Sequence, residues 1–222
     1  MIRAHPSPNF GDRRDGLRPE LVVIHFTAMA TCDAALERLC DPLAEVSAHY
    51  LIDTDGTVLL LVPEAARAWH AGAGSWGGRG DVNSRSIGIE LANRGDEPFA
   101  APQMAALEGV LAGVLARWSL PPQAVIGHSD MAPDRKGDPG PRFDWRRLAL
   151  MGLSVWPDPA EPGDFAADLA CFGYPDLPEA ALLAAFRLRF RPWAKGPLDA
   201  TDRALAADLA RRFPVDAAAR QA

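Results

Sequence analysis

The chain has 222 residues, which is enough for one catalytic domain or for a medium-sized domain followed by a small one. Its apolar fraction of 48% and charged fraction of 23% are those of a globular protein and exclude a disordered or fibrous chain. The net charge of -6 argues against a nucleic-acid-binding surface. No stretch reaches the roughly 18 apolar residues of a membrane span, so we expect no transmembrane segment.

The first part of the chain alternates predicted strands with a helix. The run LVVIHFT at 21–27 predicts a buried strand, and 49–62 predicts a hairpin that turns at Asp55-Gly56. SIGIEL at 86–91 and AVIG at 124–127 predict two further strands. Between them Pro102 begins a predicted helix, whose apolar residues recur every three or four positions: Met104, Leu107, Leu111, Leu115 and Trp118. This order indicates an α/β or α+β domain built on a mixed β-sheet.

A proline-rich stretch at 156–163, WPDPAEPG, divides the chain into residues 1–155 and residues 164–222. Proline stiffens the backbone and removes donors, so this stretch is typical of an extended linker. The second part predicts short helices with an apolar stripe formed by Leu182, Leu183, Phe186, Phe190, Leu205, Leu209 and Phe213. So small a unit buries little by itself, and we expect it to dock on the first part or to bind a ligand.

Polar residues occupy positions where the predicted strands would otherwise stay apolar. His25 lies within LVVIHFT, Glu90 lies near the end of SIGIEL, and His128 follows AVIG. Each of them taken singly is explained as a hydrogen-bonded core residue. Taken together, two histidines and a carboxylate also form a known ligand set for catalytic zinc, which leaves one coordination position open. No HExxH or CxxC motif decides between these interpretations.

Five sequence motifs resemble a known family. IHFTA, SAHYLI, AWHAG, NSRSIGIEL and HSDMAPDRKGDPGPRFDW occur in the order found in the zinc-dependent N-acetylmuramoyl-L-alanine amidases of the AmpD and AmiD type. The match runs from about Val22 to Trp145, and its most specific element is GHSDMAPDRKGDPGP. The part at 164–212 is similar, more weakly, to the small helical peptidoglycan-binding domain of AmiD-like members.

The resemblance implies an α/β fold, with a mixed sheet flanked by helices and Zn²⁺ at one sheet edge, followed by a small all-α domain. It implies that His25, His128 and Asp138 are the zinc ligands. It also implies that Glu90 and Lys136 are catalytic. Four residues resemble the family's cleft-lining loop, although loop packing explains them equally well: Trp69, His70, Trp76 and Asn83. The implied reaction is hydrolysis of the amide bond between N-acetylmuramic acid and L-alanine in muropeptide or peptidoglycan fragments.

Other hypotheses remain open beside the amidase. One is a peptidoglycan recognition module that binds without cleaving, which the presence of Glu90 and Lys136 disfavours. Another is a zinc hydrolase that acts on free peptides, because a fold alone does not determine a substrate. The absence of a signal-like N-terminal segment and of disulfide spacing predicts a cytoplasmic protein, although a tail that resembles a wall-binding domain points the other way. The need for a 1,6-anhydro sugar and the oligomeric state are undetermined.

The second part of the chain raises two further expectations. Since all the predicted catalytic residues lie between His25 and Asp138, a chain cut at about Asp158 is expected to keep zinc and activity on small substrates. Three arginines, Arg187, Arg189 and Arg191, are most simply a solvated helix face, with cell-wall carboxylates as the alternative partners. His49 is in strand register with Leu51 and is expected to be structural.

Overall fold

The computed structural model describes residues 2–215, so positions 216–222 of the predicted C-terminal unit lie outside the described residues. The strands are β1 (Ile2–Ala4), β2 (Phe10–Gly11), β3 (Leu21–Phe26), β4 (Tyr50–Ile52), β5 (Val58–Leu60), β6 (Arg67–Ala68), β7 (Ser86–Leu91) and β8 (Val125–Gly127). The helices are α1 (Cys32–Cys40), α2 (Val82–Arg85), α3 (Ala101–Trp118), α4 (His128–Met131), α5 (Trp145–Leu150), α6 (Phe165–Phe172), α7 (Glu179–Phe190) and α8 (Ala200–Arg212).

A mixed sheet forms the centre of the fold. Within residues 2–215 it has six strands in the order β1-β5-β4-β7-β3-β8, and β2 pairs with β6 in a separate ribbon. β3 is parallel to both β7 and β8, whereas β4 is parallel to β7 and antiparallel to β5. The predicted mixed α/β sheet, its hairpin and its buried strand at 21–27 are therefore confirmed.

Because side chains alternate along a strand, the central pair β3 and β7 presents two different faces. One, which we call the apolar face, consists of Val22, Ile24, Ile87 and Ile89. The other, which we call the site face, consists of Leu21, Val23, His25, Ser86, Gly88 and Glu90. Both faces are covered by helices, which is why β3 is almost continuously apolar.

The apolar face is covered mainly by α3. This helix has a proline in its first turn and ends at Ser119, whose left-handed backbone (φ 54°) stops it. Its inward residues, including the predicted Met104, Leu107, Leu111 and Leu115, are buried against the sheet. Burial of each such side chain contributes about 1.5–3 kcal/mol. Although α3 has 18 residues, none of the described helices is long and apolar enough to cross a membrane.

The site face is covered partly by the helices that follow the proline-rich stretch. Leu21, Val23 and Ile126 of the sheet share one buried cluster with aromatic residues of α6 and α7. Those aromatic residues are Phe165, Phe172, Phe186 and Phe190. The proline-rich stretch is itself attached to α8, because the backbone N–H of Asp158 donates to Asp208 Oδ2 at 2.9 Å. The predicted docking of the C-terminal helices on the first part is thus observed.

The arginines of α7 correct a prediction. Arg187 and Arg189 were expected on a solvated face, but they are only 8% and 2% exposed. Arg187 pairs with the buried Asp202, and Arg189 pairs with the buried Asp130. Arg191 is partly buried and also pairs with Asp202. A buried guanidinium is tolerated when a carboxylate compensates it, and here the carboxylates come from other helices, α4 and α8.

Candidate active site

The carboxyl ends of three neighbouring parallel strands meet at one edge of the site face. His25 is the penultimate residue of β3 and lies in register with Glu90, the penultimate residue of β7. His128 follows β8 directly and begins α4. Ligand sites of α/β sheets form beyond such strand ends, where the following loops leave a crevice. The sheet topology therefore brings together the three polar residues that interrupt the apolar strands.

The loop after α4 adds Asp138 to this group. The backbone N–H of Ser129 donates to the carbonyl of Asp138 at 2.9 Å, which holds the returning loop against α4. Asp138 Oδ2 then lies 2.9 Å from His25 Nδ1 and 3.1 Å from His128 Nδ1. The three predicted ligands present atoms that all lie within 4.8 Å of one another.

The position of the proton on His128 follows from its partners. His128 Nε2 lies 2.9 Å from the carbonyl oxygen of Ala71, and a carbonyl oxygen only accepts hydrogen bonds. Nε2 therefore carries the proton, and in the neutral ring Nδ1 directs a lone pair at Asp138. Arg135 also donates to Ala71 O, at 2.7 Å, which keeps this carbonyl in place.

A chain of hydrogen bonds across the site face determines the proton position on His25. Ser86 Oγ donates to Val82 O at 2.5 Å, so it accepts from His70 Nε2 at 3.2 Å. His70 Nδ1 is then unprotonated and accepts from His25 Nε2 at 3.0 Å. His25 Nδ1 is left with a lone pair that faces Asp138. Burial is the main cause that lowers the pKa of His25 to about 4, so the ring is neutral at neutral pH.

Gly88 makes room for this chain. A Cβ atom at that position would lie 2.4 Å from Cγ of His70. A larger residue would therefore displace the ring that accepts the hydrogen bond from His25. His49, on the other side of Gly88, accepts a hydrogen bond at Nδ1 from the Gly88 N–H at 2.9 Å. His49 is fully buried and supports the strand, consistent with the structural role expected for it.

The converging atoms fit a metal ion. Two imidazole lone pairs and a carboxylate oxygen face one another with no proton assigned between them, which is repulsive unless a cation lies there. Although burial alone would raise the pKa of Asp138, that pKa lies well below its usual range when His128 and His25 donate to it, and a cation between them would act in the same direction. Asp138 is therefore an anion. Two neutral imidazoles and one carboxylate, in a closely spaced set, match the donors that zinc prefers.

Glu90 lies beside this group but is not part of it. Burial raises the pKa of Glu90 to about 8, and the negative charge of Asp138 acts in the same direction while Lys136 opposes it. The Oε2 atom of Glu90 is buried and has no hydrogen-bond partner among the residues that the structure describes. A carboxyl group with such a pKa and a vacant oxygen is suited to accept and return a proton near neutral pH.

These residues line one end of a cavity of about 380 Å³. Lys136, whose side chain is exposed, lies on its wall together with Trp69 and His70. The lining also includes apolar residues and one arginine from α1 and its neighbours: Met29, Ala35, Arg38, Leu39 and Val46. The cavity thus combines a polar end, which can hold a cation and move protons, with an amphipathic end suited to a substrate that has both apolar and charged groups.

Two of the predicted cleft residues lie elsewhere. Trp76 is 2% exposed and does not line this cavity, because it packs against Phe172 and Tyr174 of the C-terminal helices and the turn after α6. Asn83 is buried in α2, where its Oδ1 accepts hydrogen bonds from the backbone N–H groups of His70 and Ala71. The prediction that they line the cleft is corrected to internal packing for Trp76 and to support of the His70 loop for Asn83.

Comparison with known proteins identifies the family. The family described as N-acetylmuramoyl-L-alanine amidase matches residues 15–141. N-acetylmuramoyl-L-alanine amidase AmiD of Escherichia coli K12 is 36% identical, over 90% of this chain and 85% of that protein. The chain belongs to the N-acetylmuramoyl-L-alanine amidase family. A second relative, 1,6-anhydro-N-acetylmuramyl-L-alanine amidase AmpD of Salmonella typhimurium SL1344, is 37% identical over 68% of this chain and 91% of its own length.

Solved structures of amidases have the same fold. Escherichia coli AmiD, in complex with its substrate anhydro-N-acetylmuramic acid-L-Ala-D-gamma-Glu-L-Lys, is similar with a TM-score of 0.79 and 33% identity, over 92% of this chain and 98% of that one. AmpDh3 of Pseudomonas aeruginosa, in complex with an anhydromuramic pentapeptide, has a TM-score of 0.81 and 30% identity, over 95% and 96%. The predicted fold, the family resemblance and the amidase activity are confirmed.

Sequence reasoning missed the residues that support the ligands. Ser86 and the carbonyl of Ala71 complete the hydrogen bonds that orient His25 and His128, yet neither was singled out. One signal was available for the first of them. Gly88 lies in the middle of a buried strand, and glycine at such a position often marks the close approach of another group. No sequence pattern marks a backbone carbonyl as a partner.

Proposed function

We propose that this amidase holds one zinc ion at His25, His128 and Asp138 and cleaves muropeptides between N-acetylmuramic acid and L-alanine. The observation that carries the proposal is the convergence of three lone-pair donors, His25 Nδ1, His128 Nδ1 and Asp138 Oδ2, at one end of an open cavity. The tautomers imposed by their outer hydrogen bonds support it, because they leave all three atoms ready to bind a cation.

Glu90 and the metal ligands have different roles in amide hydrolysis: Glu90 transfers protons, and the ligands hold the metal. A bound zinc ion supplies Lewis-acid polarisation of the carbonyl and acidification of water. Glu90, which lines the cavity beside the proposed ligands, accepts the proton of the attacking water at its carboxylate and then delivers it to the leaving nitrogen. Burial raises the pKa of Glu90, so the carboxyl group holds the proton between the two steps. The chain of hydrogen bonds behind His25 keeps that ring from rotating while the proton moves.

Lys136 stabilises the charge that develops on the substrate. Its ammonium group lies on the wall of the same cavity, and no ion-pair partner for it occurs within residues 2–215. An uncompensated cation in a partly enclosed site interacts strongly with an oxyanion. We assign Lys136 to the carbonyl oxygen of the scissile amide as it becomes tetrahedral. Trp69 supplies an aromatic wall for the sugar or the first peptide residues.

The experiment that tests the metal is elemental analysis together with turnover. The purified protein should contain about one zinc per chain, since this ligand set leaves one position open. A strong chelator should abolish activity, and added zinc should restore it. Full turnover by a sample shown to be free of metal would refute the proposal. A zinc-loaded protein that binds muramyl peptides but never cleaves them would instead support the recognition-module hypothesis.

We further propose that the substrate is a soluble muropeptide with a 1,6-anhydro sugar. The support is the substrate named in the AmiD complex and the anhydro sugar in the name of AmpD, together with the amphipathic cavity of this chain. Mass spectrometry of products from matched anhydro and non-anhydro muropeptides would test it, and equal rates for both would contradict it. A cytoplasmic location stays a prediction, for which fractionation of cells is the test.

A further inference from the structure

A buried carboxylate links the C-terminal helices to the turn that carries His128. Asp130 lies in α4 and is fully buried. Its Oδ2 accepts from the backbone N–H of Gly127 at 2.8 Å, which closes the turn from β8 into α4. The same oxygen accepts from Arg189 Nη1 of α7 at 2.6 Å, and Oδ1 accepts from the hydroxyl of Tyr174. Two of its three partners therefore come from beyond the proline-rich stretch.

Arg189 also donates a hydrogen bond to the strand that precedes this turn. Its Nη2 donates to the carbonyl of Val125 in β8 at 3.0 Å and to Ser154 Oγ at 3.3 Å. The guanidinium carbon lies 4.3 Å from the ring centre of Trp145 in α5, so Arg189 also makes a cation–π contact with this ring. One side chain thus contacts β8, α4 and α5, the elements immediately around His128.

We infer that Arg189, assisted by Tyr174, is a positioning residue for the metal ligand His128. The inference rests on the proposed zinc site. His128 begins the short helix that Asp130 ties to Gly127, so any movement of the Asp130 carboxylate displaces the first residue of α4. Without Arg189 that carboxylate would be a buried anion lacking its counter-charge, which would favour its displacement from the present position. The C-terminal helices are then part of the scaffold of the site, contrary to the separable tail expected from the linker.

The chain offers a matched control on the same helix. Arg187 lies two positions before Arg189, is similarly buried, and pairs with the fully buried carboxylate of Asp202. Its remaining hydrogen bonds go to the carbonyl oxygens of Gly196 and Pro197. All of these partners belong to the C-terminal helices and the loop between them. Replacement of Arg187 therefore removes a buried ion pair without touching β8 or α4, although Asp202 keeps its second partner, Arg191.

The experiment compares Arg189→Met with Arg187→Met in the full chain, at a temperature where both are folded by circular dichroism. Zinc release to a chromogenic chelator should be roughly 10–100-fold faster from R189M than from wild type, the range typical for loss of a residue that supports a ligand. R187M should release zinc like wild type even though its melting temperature falls. Arg189→Lys should recover part of the loss, because it restores the charge but not the forked contacts.

A second measurement does not depend on zinc. In the metal-free protein, the amides of Ser129 and Ala132 are hydrogen-bonded to Asp138 O and His128 O. Their hydrogen exchange should accelerate in R189M and not in R187M. Equal rates of amide exchange and equal rates of zinc release in the two variants would overturn the inference. A wild-type protein without zinc would instead refute the proposed function, and the exchange test would still apply. If R189M fails to fold, Tyr174→Phe, which removes one Asp130 contact without a charge, should show the same pattern at smaller size, and unchanged exchange there would overturn the inference.

Discussion

The two faces of the central sheet are built on different principles. On the apolar face, Val22 and Ile24 meet Leu107 and Leu111 of α3 in a core where any well-fitting apolar side chain would serve. On the site face, His25 depends on a specific series of partners that begins with His70 and ends at a backbone carbonyl. The same two strands supply both faces, since their side chains alternate. A single β-strand can therefore combine a tolerant surface with one in which each polar atom needs its own partner.

The difference shows in how each face can fail. Loss of volume on the apolar face leaves a cavity and lowers the free energy of unfolding, but the site geometry is set elsewhere. Loss of one partner on the site face changes a proton position or a ligand orientation, with less effect on stability. Substitutions on the two faces should accordingly separate activity from stability. The predictions that follow test this separation, from the largest expected effect to the smallest.

Glu90→Gln should have the largest effect. The amide keeps the shape of the side chain but cannot take the proton from water, so turnover should fall by roughly 10²–10⁴-fold. Zinc content and melting temperature should stay near the wild-type values, because Glu90 is not among the proposed ligands. Steady-state kinetics and elemental analysis measure the two quantities. A Glu90→Gln protein that turns over normally, or one that has lost its zinc, would contradict the role assigned here.

Leu107→Ala tests the apolar face. Leu107 is fully buried in α3, and its truncation should lower the free energy of unfolding by about 2–5 kcal/mol. Chemical denaturation measures this change, and turnover per folded molecule should be preserved at low temperature. Leu107→Met, which conserves volume, is the control and should cost less than about 1.5 kcal/mol. A large fall in turnover of the folded Leu107→Ala protein would show that the two faces are coupled.

His70→Ala tests the hydrogen-bond chain behind His25. Without the acceptor at His70 Nδ1, His25 is free to change tautomer and ring orientation, so zinc affinity should fall roughly 10–100-fold. Competition with a calibrated chelator measures the affinity. Ser86→Ala is the matched control: it removes only the far end of the chain, so its loss should be smaller. Unchanged zinc affinity in His70→Ala would mean that Asp138 alone orients His25.

Asp199→Ala should have the smallest effect. Asp199 caps α8, where its carboxylate accepts from the backbone N–H of Asp202 at 2.9 Å, and loss of such a cap costs about 1 kcal/mol. The hydrogen bond from Arg191 and the cap itself lower the pKa of Asp199 to about 2. A depressed folded-state pKa stabilises the protein above the unfolded-state pKa, so the advantage of wild type should shrink as the pH falls from about 4 to about 2. Denaturation at several pH values measures it, and a difference independent of pH would contradict it.

Several predictions from the sequence were confirmed because their signals are local. The short apolar runs in LVVIHFT and SIGIEL predicted β3 and β7, and the spacing of Met104, Leu107 and Leu111 predicted α3. The predictions for Trp76, Asn83 and the arginines of α7 were wrong because the contacts that decide them are not local. Trp76 is an aromatic residue of the type that often lines a cleft. It is instead buried against Phe172, which lies 96 positions later in the sequence. The roles of Glu90 and Lys136 stay predictions of the resemblance and the geometry together.

The sequence by itself determined five of the described strands (β3, β4, β5, β7 and β8), the long helix and the family, because periodicity and motifs are properties of neighbouring residues. Only the tertiary structure decided which polar residues lie inside. Arginine side chains are usually exposed, which predicts a solvated helix face for Arg187 and Arg189, yet both are buried. Asp130, the partner of Arg189, is 59 positions away, and Asp202, the partner of Arg187, is 15 positions away. A charge can be buried when the fold places a counter-charge beside it. A local sequence pattern does not show which residue will supply that counter-charge.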